Sequence, residues 1–196
     1  MNNDEYTVTD GPDVEPVTTA QAKTHARVDT SDDDTYIGTL ITAARRYCEQ
    51  YTRRTFVTTT YEWTLRSLPA GELVVPRPPL QSVSSIKYID TDGNEQTWSS
   101  DDYQVSTAGV VGRIKPAYSE TWPSYRGYDY DAVTVTFVAG YGDAATDVPE
   151  EIVHAIKFLV AHWYEHREPV LVGTSITSIP LTVKNLLGPY RVPEAF

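Results

Sequence analysis

His162-Trp163-Tyr164-Glu165-His166 matches the H-x-x-E-H pattern of a class of metalloproteases. On a helix the two histidines stand one turn apart and can share a zinc ion, with Glu165 as the base. That chemistry also needs a third protein ligand. The pattern asks for a downstream glutamate on another helix, yet only Glu168 and Glu194 follow, one beside the motif and one in the tail. His162 and His166 are therefore assigned to a subunit or partner contact, and a zinc-dependent hydrolase using His162, Glu165 and His166 is kept as an alternative function.

Gly140-Tyr141-Gly142-Asp143-Ala144-Ala145 fits G-x-G-x-x-A, the dinucleotide fingerprint, after a strand and before a helix. The helix, however, begins some seven residues late, near Pro149, so a pyrophosphate would miss its N-terminus. The glycines are read as a tight turn. Asp101-Asp102 has nothing to fix a glycosidase spacing and is read as solvated loop charge. Asp32, Asp33 and Asp34 are read as N-cap and first-turn charges of a helix rather than a metal site. Cys48, the one cysteine, lies on an apolar helix stripe and is read as a small buried hydrophobe. No catalytic residue, metal ligand or cofactor is assigned.

The elements that carry these residues follow from periodicity. Residues 148 to 168 form the principal helix: Ile152, Ile156, Leu159 and Trp163 recur at helical spacing, and Val153, Val160 and Tyr164 widen the stripe. Asp147 is expected to cap it, Pro149 to occupy its first turn and Glu168-Pro169 to stop it. A second long helix, about 33 to 53, buries Tyr36, Ile37, Leu40, Ile41, Ala44, Tyr47, Cys48 and Tyr51. It leaves Arg45, Arg46, Glu49 and Arg53 to solvent or a partner. Thr18-Thr19-Ala20-Gln21 fits a capping box for a short helix to about Arg27, and another short helix runs over 180 to 187.

At Phe56 the period changes to two, and Val57, Thr59, Tyr61, Trp63 and Leu65 alternate with polar residues. Further strands are expected at 73 to 75, 83 to 90, 95 to 98, 102 to 106, 110 to 115 and 132 to 138, with Asp92-Gly93-Asn94 as a hairpin turn. The fold class is α+β: a small bundle of two long and two short helices with a β-rich antiparallel insertion between the long ones. The division is a flexible arm at 1–15, a helical core at 16–55 and 141–188, an inserted β-rich domain at 56–140 and a tail at 189–196. Trp122, Tyr125 and Tyr128, in an aromatic stretch from Tyr118 to Tyr130, form either a protein contact or a self-packed loop. A glycan-binding module resting on these aromatics is the other alternative function.

The formal net charge of −11 over 196 residues argues against gripping phosphate backbones, but suits a wall that DNA passes without sticking. No long apolar run or signal-like N-terminus occurs, so a soluble, cytoplasm-made protein with no membrane partner is expected.

Several segments together resemble the head–tail connector (adaptor) proteins of long-tailed bacteriophages and gene transfer agents, over about residues 16 to 192. They are Pro16-Val17-Thr18 with Ala22-Lys23 and Arg27-Val28-Asp29; Ala43-Ala44-Arg45 and Cys48-Glu49; Leu73 with Pro76-Arg77-Pro78-Pro79-Leu80-Gln81-Ser82-Val83; Ala139-Gly140-Tyr141-Gly142 then Val148-Pro149; Trp163-Tyr164-Glu165-His166-Arg167-Glu168; and Ile179-Pro180-Leu181 through Leu187-Gly188-Pro189-Tyr190-Arg191. The resemblance implies a non-enzymatic virion neck protein, assembled in the host cytoplasm. It would form a homo-oligomeric ring, twelvefold in such families, that binds the portal protein, joins it to a tail-side stopper and lets DNA through. It also implies that the C-terminal segment docks on the portal, through Pro189, Tyr190, Arg191, Val192 and Phe196. On the sequence alone, removing 189 to 196 is expected to leave folding nearly intact, because those residues follow the last helix.

Overall fold

The computed structural model describes residues 5–167 and 181–193. Two compact units emerge, one built from residues up to Pro12 with Thr58–Tyr141, the other from Asp13–Val57 with the described residues from Gly142 on.

In the second unit, α1 (Thr19–Ala26) opens on the capping box: Thr18 Oγ1 accepts from the Gln21 amide at 3.2 Å, and Gln21 Oε1 accepts from the Thr18 amide at 3.0 Å. It ends at Arg27 and α2 (Asp34–Thr52) ends at Arg53, each cap in the left-handed conformation. α3 (Glu150–Glu165) and α4 (Leu181–Leu187) complete the bundle. Ile37, Ile41, Ala44 and Cys48 of α2, Ile152, Ile156 and Leu159 of α3, and Val183 and Leu187 of α4 are buried together with Val17 and Phe56. Each large apolar side chain so buried contributes roughly 1.5–3 kcal/mol, and α3, which packs on the other three helices, supplies the centre.

The expected caps of α3 are corrected. Pro149 sits at the N-cap rather than in the first turn, and no side chain caps there. Asp147 instead accepts from the Ala144 amide at 2.9 Å, closing the 3-10 turn Ala145–Asp147. α3 stops at Glu165, ahead of Glu168-Pro169, which lies outside the described residues.

The β unit holds two antiparallel sheets. The larger has five strands in the order β1-β2-β8-β4-β5: β1 (Glu5–Asp10), β2 (Thr59–Leu65), β8 (Val133–Ala139), β4 (Leu80–Ile89) and β5 (Glu95–Thr97). The smaller has β3 (Leu73–Val74), β7 (Arg113–Pro116) and β6 (Tyr103–Ser106) in the order β3-β7-β6. Alternation sets the faces: β8 buries Val133, Val135, Phe137 and Ala139, and β2 buries Thr59, Tyr61, Trp63 and Leu65. Phe137 stacks on Tyr61 at 5.2 Å and meets Trp63 edge-on at 6.4 Å, while Ile86 and Ile114 close the core. The helices and antiparallel sheets make the fold α+β. Residues 5–10 are not part of a flexible arm, since they pair with β2 as an edge strand.

Candidate docking surfaces

α4 leads into the 3-10 turn Gly188–Tyr190 and then an extended stretch, where the expected portal-docking residues lie. They are tied down. Arg54 Nε donates to the Tyr190 carbonyl at 2.6 Å, the Val192 amide donates to the Thr52 carbonyl at 2.9 Å, and Val192 is 6% exposed. The Tyr190 hydroxyl donates to Glu151 Oε2 at 2.8 Å. The Glu151 carboxyl is held below its ordinary range, first by its own backbone amide and then by that hydroxyl. The Arg191 guanidinium lies over the Tyr51 ring at 5.6 Å. Pro189, Arg191 and Pro193 are exposed, and Phe196 lies outside the described residues. The segment thus belongs to the fold through Tyr190 and Val192 and presents Pro189 and Arg191 outward. The expectation that residues 189 to 196 are dispensable for folding is corrected on that ground.

His162 and His166 lie at the end of α3, with ring centroids 4.8 Å apart and His166 Nδ1 3.0 Å from the His162 carbonyl. Among the described residues, no three His, Cys, Asp or Glu side chains converge as a metal site requires. The helix end is organised around a different carboxylate. Asp33 Oδ2 accepts from the Tyr164 hydroxyl and from Arg167 Nη2, each at 2.7 Å, and the Arg167 guanidinium covers the rings of Tyr36 and Tyr164 at 4.9 and 4.8 Å. The hydroxyl of Tyr164, and then Arg167, hold the Asp33 carboxyl below its ordinary range. Asp33 stands at the N-cap of α2 but makes no cap bond, and Asp34 pairs with Lys23 at 2.7 Å, so these acids tie helices together rather than simply capping one.

Of the aromatic stretch, Trp122 and Tyr125 pack on the β core. Trp122 Nε1 donates to the Gly71 carbonyl at 3.2 Å and its ring meets Trp98 at 5.2 Å; the Leu68 amide donates to the Tyr125 hydroxyl at 3.0 Å. Tyr128 is 97% exposed, as are Tyr118 at 94% and Tyr130 at 71%, the last beneath Arg66. The fingerprint glycines have a local use as well. A Cβ on Gly142 would collide with the Asp147 carboxylate, so Gly142 allows the close approach that turns the chain toward α3.

Sequence reasoning missed the cluster around Arg45. That guanidinium is 6% exposed and donates to Glu15 Oε2 at 2.7 Å, Glu15 Oε1 at 3.2 Å and Glu49 Oε2 at 2.9 Å. Arg45 was expected on a solvent or partner face, and nothing in helical period marks a charge whose acid partner lies before α1. Cys48, beside it, is buried, and burial together with Glu49 pushes its thiol up to about 12. Cys48 is therefore not an activated nucleophile.

The sequence profile of the family described as head completion protein matches residues 16–192. This chain belongs to the head completion protein family. No curated protein matches it. Three solved structures share its fold. A chain in the neck of an empty gene transfer agent particle, computed with C6 symmetry, superposes with a TM-score of 0.81 at 19% identity, covering 98% of this chain and 97% of the other. One in the virion of a native gene transfer agent particle gives 0.80 at 18%, covering 97% of each chain. One in the neck of a native particle, computed with C12 symmetry, gives 0.72 at 18%, again over 97% of each. As a head completion protein, the chain is a structural component by family.

Proposed function

We propose that this protein is a non-enzymatic ring subunit of the virion neck, seated between the portal and a tail-side stopper and leaving a central passage for DNA. The carrying observation is the family match over residues 16–192, which takes in nearly the whole chain. Three further observations support it. The fold agrees end to end with chains found in particle necks, some treated with sixfold or twelvefold symmetry. The net charge of −11 suits a wall that does not retain a polyanion. The C-terminal segment presents Pro189 and Arg191 at the surface beside the hydrogen-bonded Tyr190 and Val192, a partly preorganised arrangement that lowers the entropic cost of docking. In this reading Tyr190 and Val192 set the pose of the segment, Pro189 and Arg191 face the portal, and Phe196 extends the contact. Tyr128, His162 and His166 are exposed or half-exposed groups available to neighbouring subunits. Electron microscopy of the protein mixed with its portal tests the proposal. A closed ring of this protein on the portal is the expected result, and a protein that stays monomeric beside the portal overturns it.

A further inference from the structure

The β unit has four strand edges, and they are not equally open. In the larger sheet, β5 is three residues long and follows a turn locked by Asp90, which accepts the Asp92 and Asn94 amides and the Gln96 side chain. Its Glu95 is paired to Lys87 at 2.8 Å. A short edge lined by charge resists further pairing. In the smaller sheet β3 has only two residues. The remaining edges are longer. β1 has six residues with exposed Tyr6-Thr7-Val8-Thr9, and β6 has four with exposed Gln104-Val105-Ser106. Neither β1 nor β6 pairs on its outer side among the described residues.

The two edges are complementary in chemistry, face by face. On β1, Val8 stands opposite Tyr61, on the inward-facing row, and is 57% exposed. The register shift between Val8 and Asp10 brings Asp10 opposite Thr60, on the other face. On the smaller sheet, Val105 stands opposite buried Ile114 and is 38% exposed, while Lys115 stands opposite Gln104, on the outward row. Beside β6 lies a groove of about 470 Å³ lined by Glu72, Val105, Val110, Arg113 and Lys115, with Val110 52% exposed. Arg113 is paired to Glu72 at 3.2 Å, whereas Lys115 and Asp10 have no ion-pair partner among the described residues. One edge thus offers a valine on one face and a carboxylate on the other; the second offers Val105 on one face, with Val110 in the groove beside it, and on the other face the Lys115 ammonium of the adjoining strand β7.

We propose that β1 of one copy adds to the β6 edge of the next copy, Val8 meeting Val105 and Val110 while Asp10 meets Lys115. The contact uses two different patches on each subunit, as a closed ring requires, and it joins copies through main-chain hydrogen bonds. It rests on the ring reading above and specifies how neighbouring subunits join.

Cysteine crosslinking on portal-bound protein tests it. Native Cys48 is buried and does not compete. The double variant Val8→Cys with Val105→Cys, oxidised on the portal, is expected to run as a ladder of covalent oligomers on a denaturing non-reducing gel, and each single variant as monomer. Both positions are exposed, so folding is retained. Separately, Lys115→Glu is expected to lower ring yield about tenfold, and Asp10→Lys in the same chain to restore it. Rings without a ladder, or rings indifferent to both charge changes, overturn the edge pairing while leaving the ring reading intact. Absence of rings from the wild-type protein on portal removes both.

Discussion

Arg45 shows how far a single side chain can depart from its place in a pattern. Its position on α2 reads as solvent-facing, yet its guanidinium is buried and shared between Glu15 and Glu49, and Glu15 also accepts the Thr42 hydroxyl at 2.9 Å. Glu49 in turn accepts the Phe56 amide at 3.1 Å, so one ion triad fastens the segment before α1 and the segment after α2 to the same turn of helix. Such a triad is not in itself strong evidence of stability, because desolvation offsets much of the attraction. Breaking it is another matter. Arg45→Ala leaves two carboxylates facing a buried space and is expected to cost about 3–5 kcal/mol, read as a lower urea midpoint with an unchanged slope. Arg45→Met combined with Glu15→Gln removes charge from both sides and is expected to cost clearly less; an equal loss from the two variants would refute the ion-triad account.

Among the elements, the junction of α2 with α3 carries a pH dependence whose sign follows from Asp33. Its carboxyl is depressed in the fold by the Tyr164 hydroxyl and then Arg167, so its contribution is present above the ordinary carboxylate range, near pH 4, and is lost as pH falls through the depressed value. Melting temperature followed from pH 6 to pH 2.5 should show wild type and Asp33→Asn separated at the upper end and converging at the lower; a constant separation would contradict the assignment. The C-terminal segment gives the second test at this scale. Val192→Asp places a charge in a buried site and is expected to destabilise by about 2–4 kcal/mol in chemical denaturation, whereas Arg191→Ala, removing an exposed stacking contact, should cost at most about 1 kcal/mol while weakening portal attachment. What the sequence disclosed at this scale was whatever repeats. Ile152, Ile156 and Leu159 marked α3, the alternation through Tyr61 and Trp63 marked β2, and Thr18 with Gln21 marked the start of α1. β1 escaped because two apolar residues, Tyr6 and Val8, are too few to set a period, and its place is fixed by main-chain pairing with a strand some fifty residues away. The residues expected to dock were legible as types but not as positions: that Tyr190 and Val192 would be spent on Glu151 and Thr52 depends on contacts far apart in the chain.

At the scale of the whole molecule the relevant quantity is charge. Each copy carries −11, and the proposed ring, if twelvefold, would carry about −130. A polyanion entering such a ring would meet a net negative charge, with 27 acids against 16 lysines and arginines in each copy, so repulsion would outweigh what counterion release could return. Retention of DNA would stall its movement, whereas repulsion leaves it free to slide, so the acidic balance suits a conduit and not a clamp. The expected outcome is that the protein, alone or as portal-bound rings, fails to retard double-stranded DNA on a gel even at about 20 mM salt, where electrostatic binding is strongest. Retardation that weakens as salt is raised would show phosphate contacts and contradict the conduit reading. A graded series sharpens the test, since replacing exposed acids such as Asp101, Glu120 and Asp131 with lysine should leave folding intact and introduce salt-sensitive binding only once enough positive charge has accumulated.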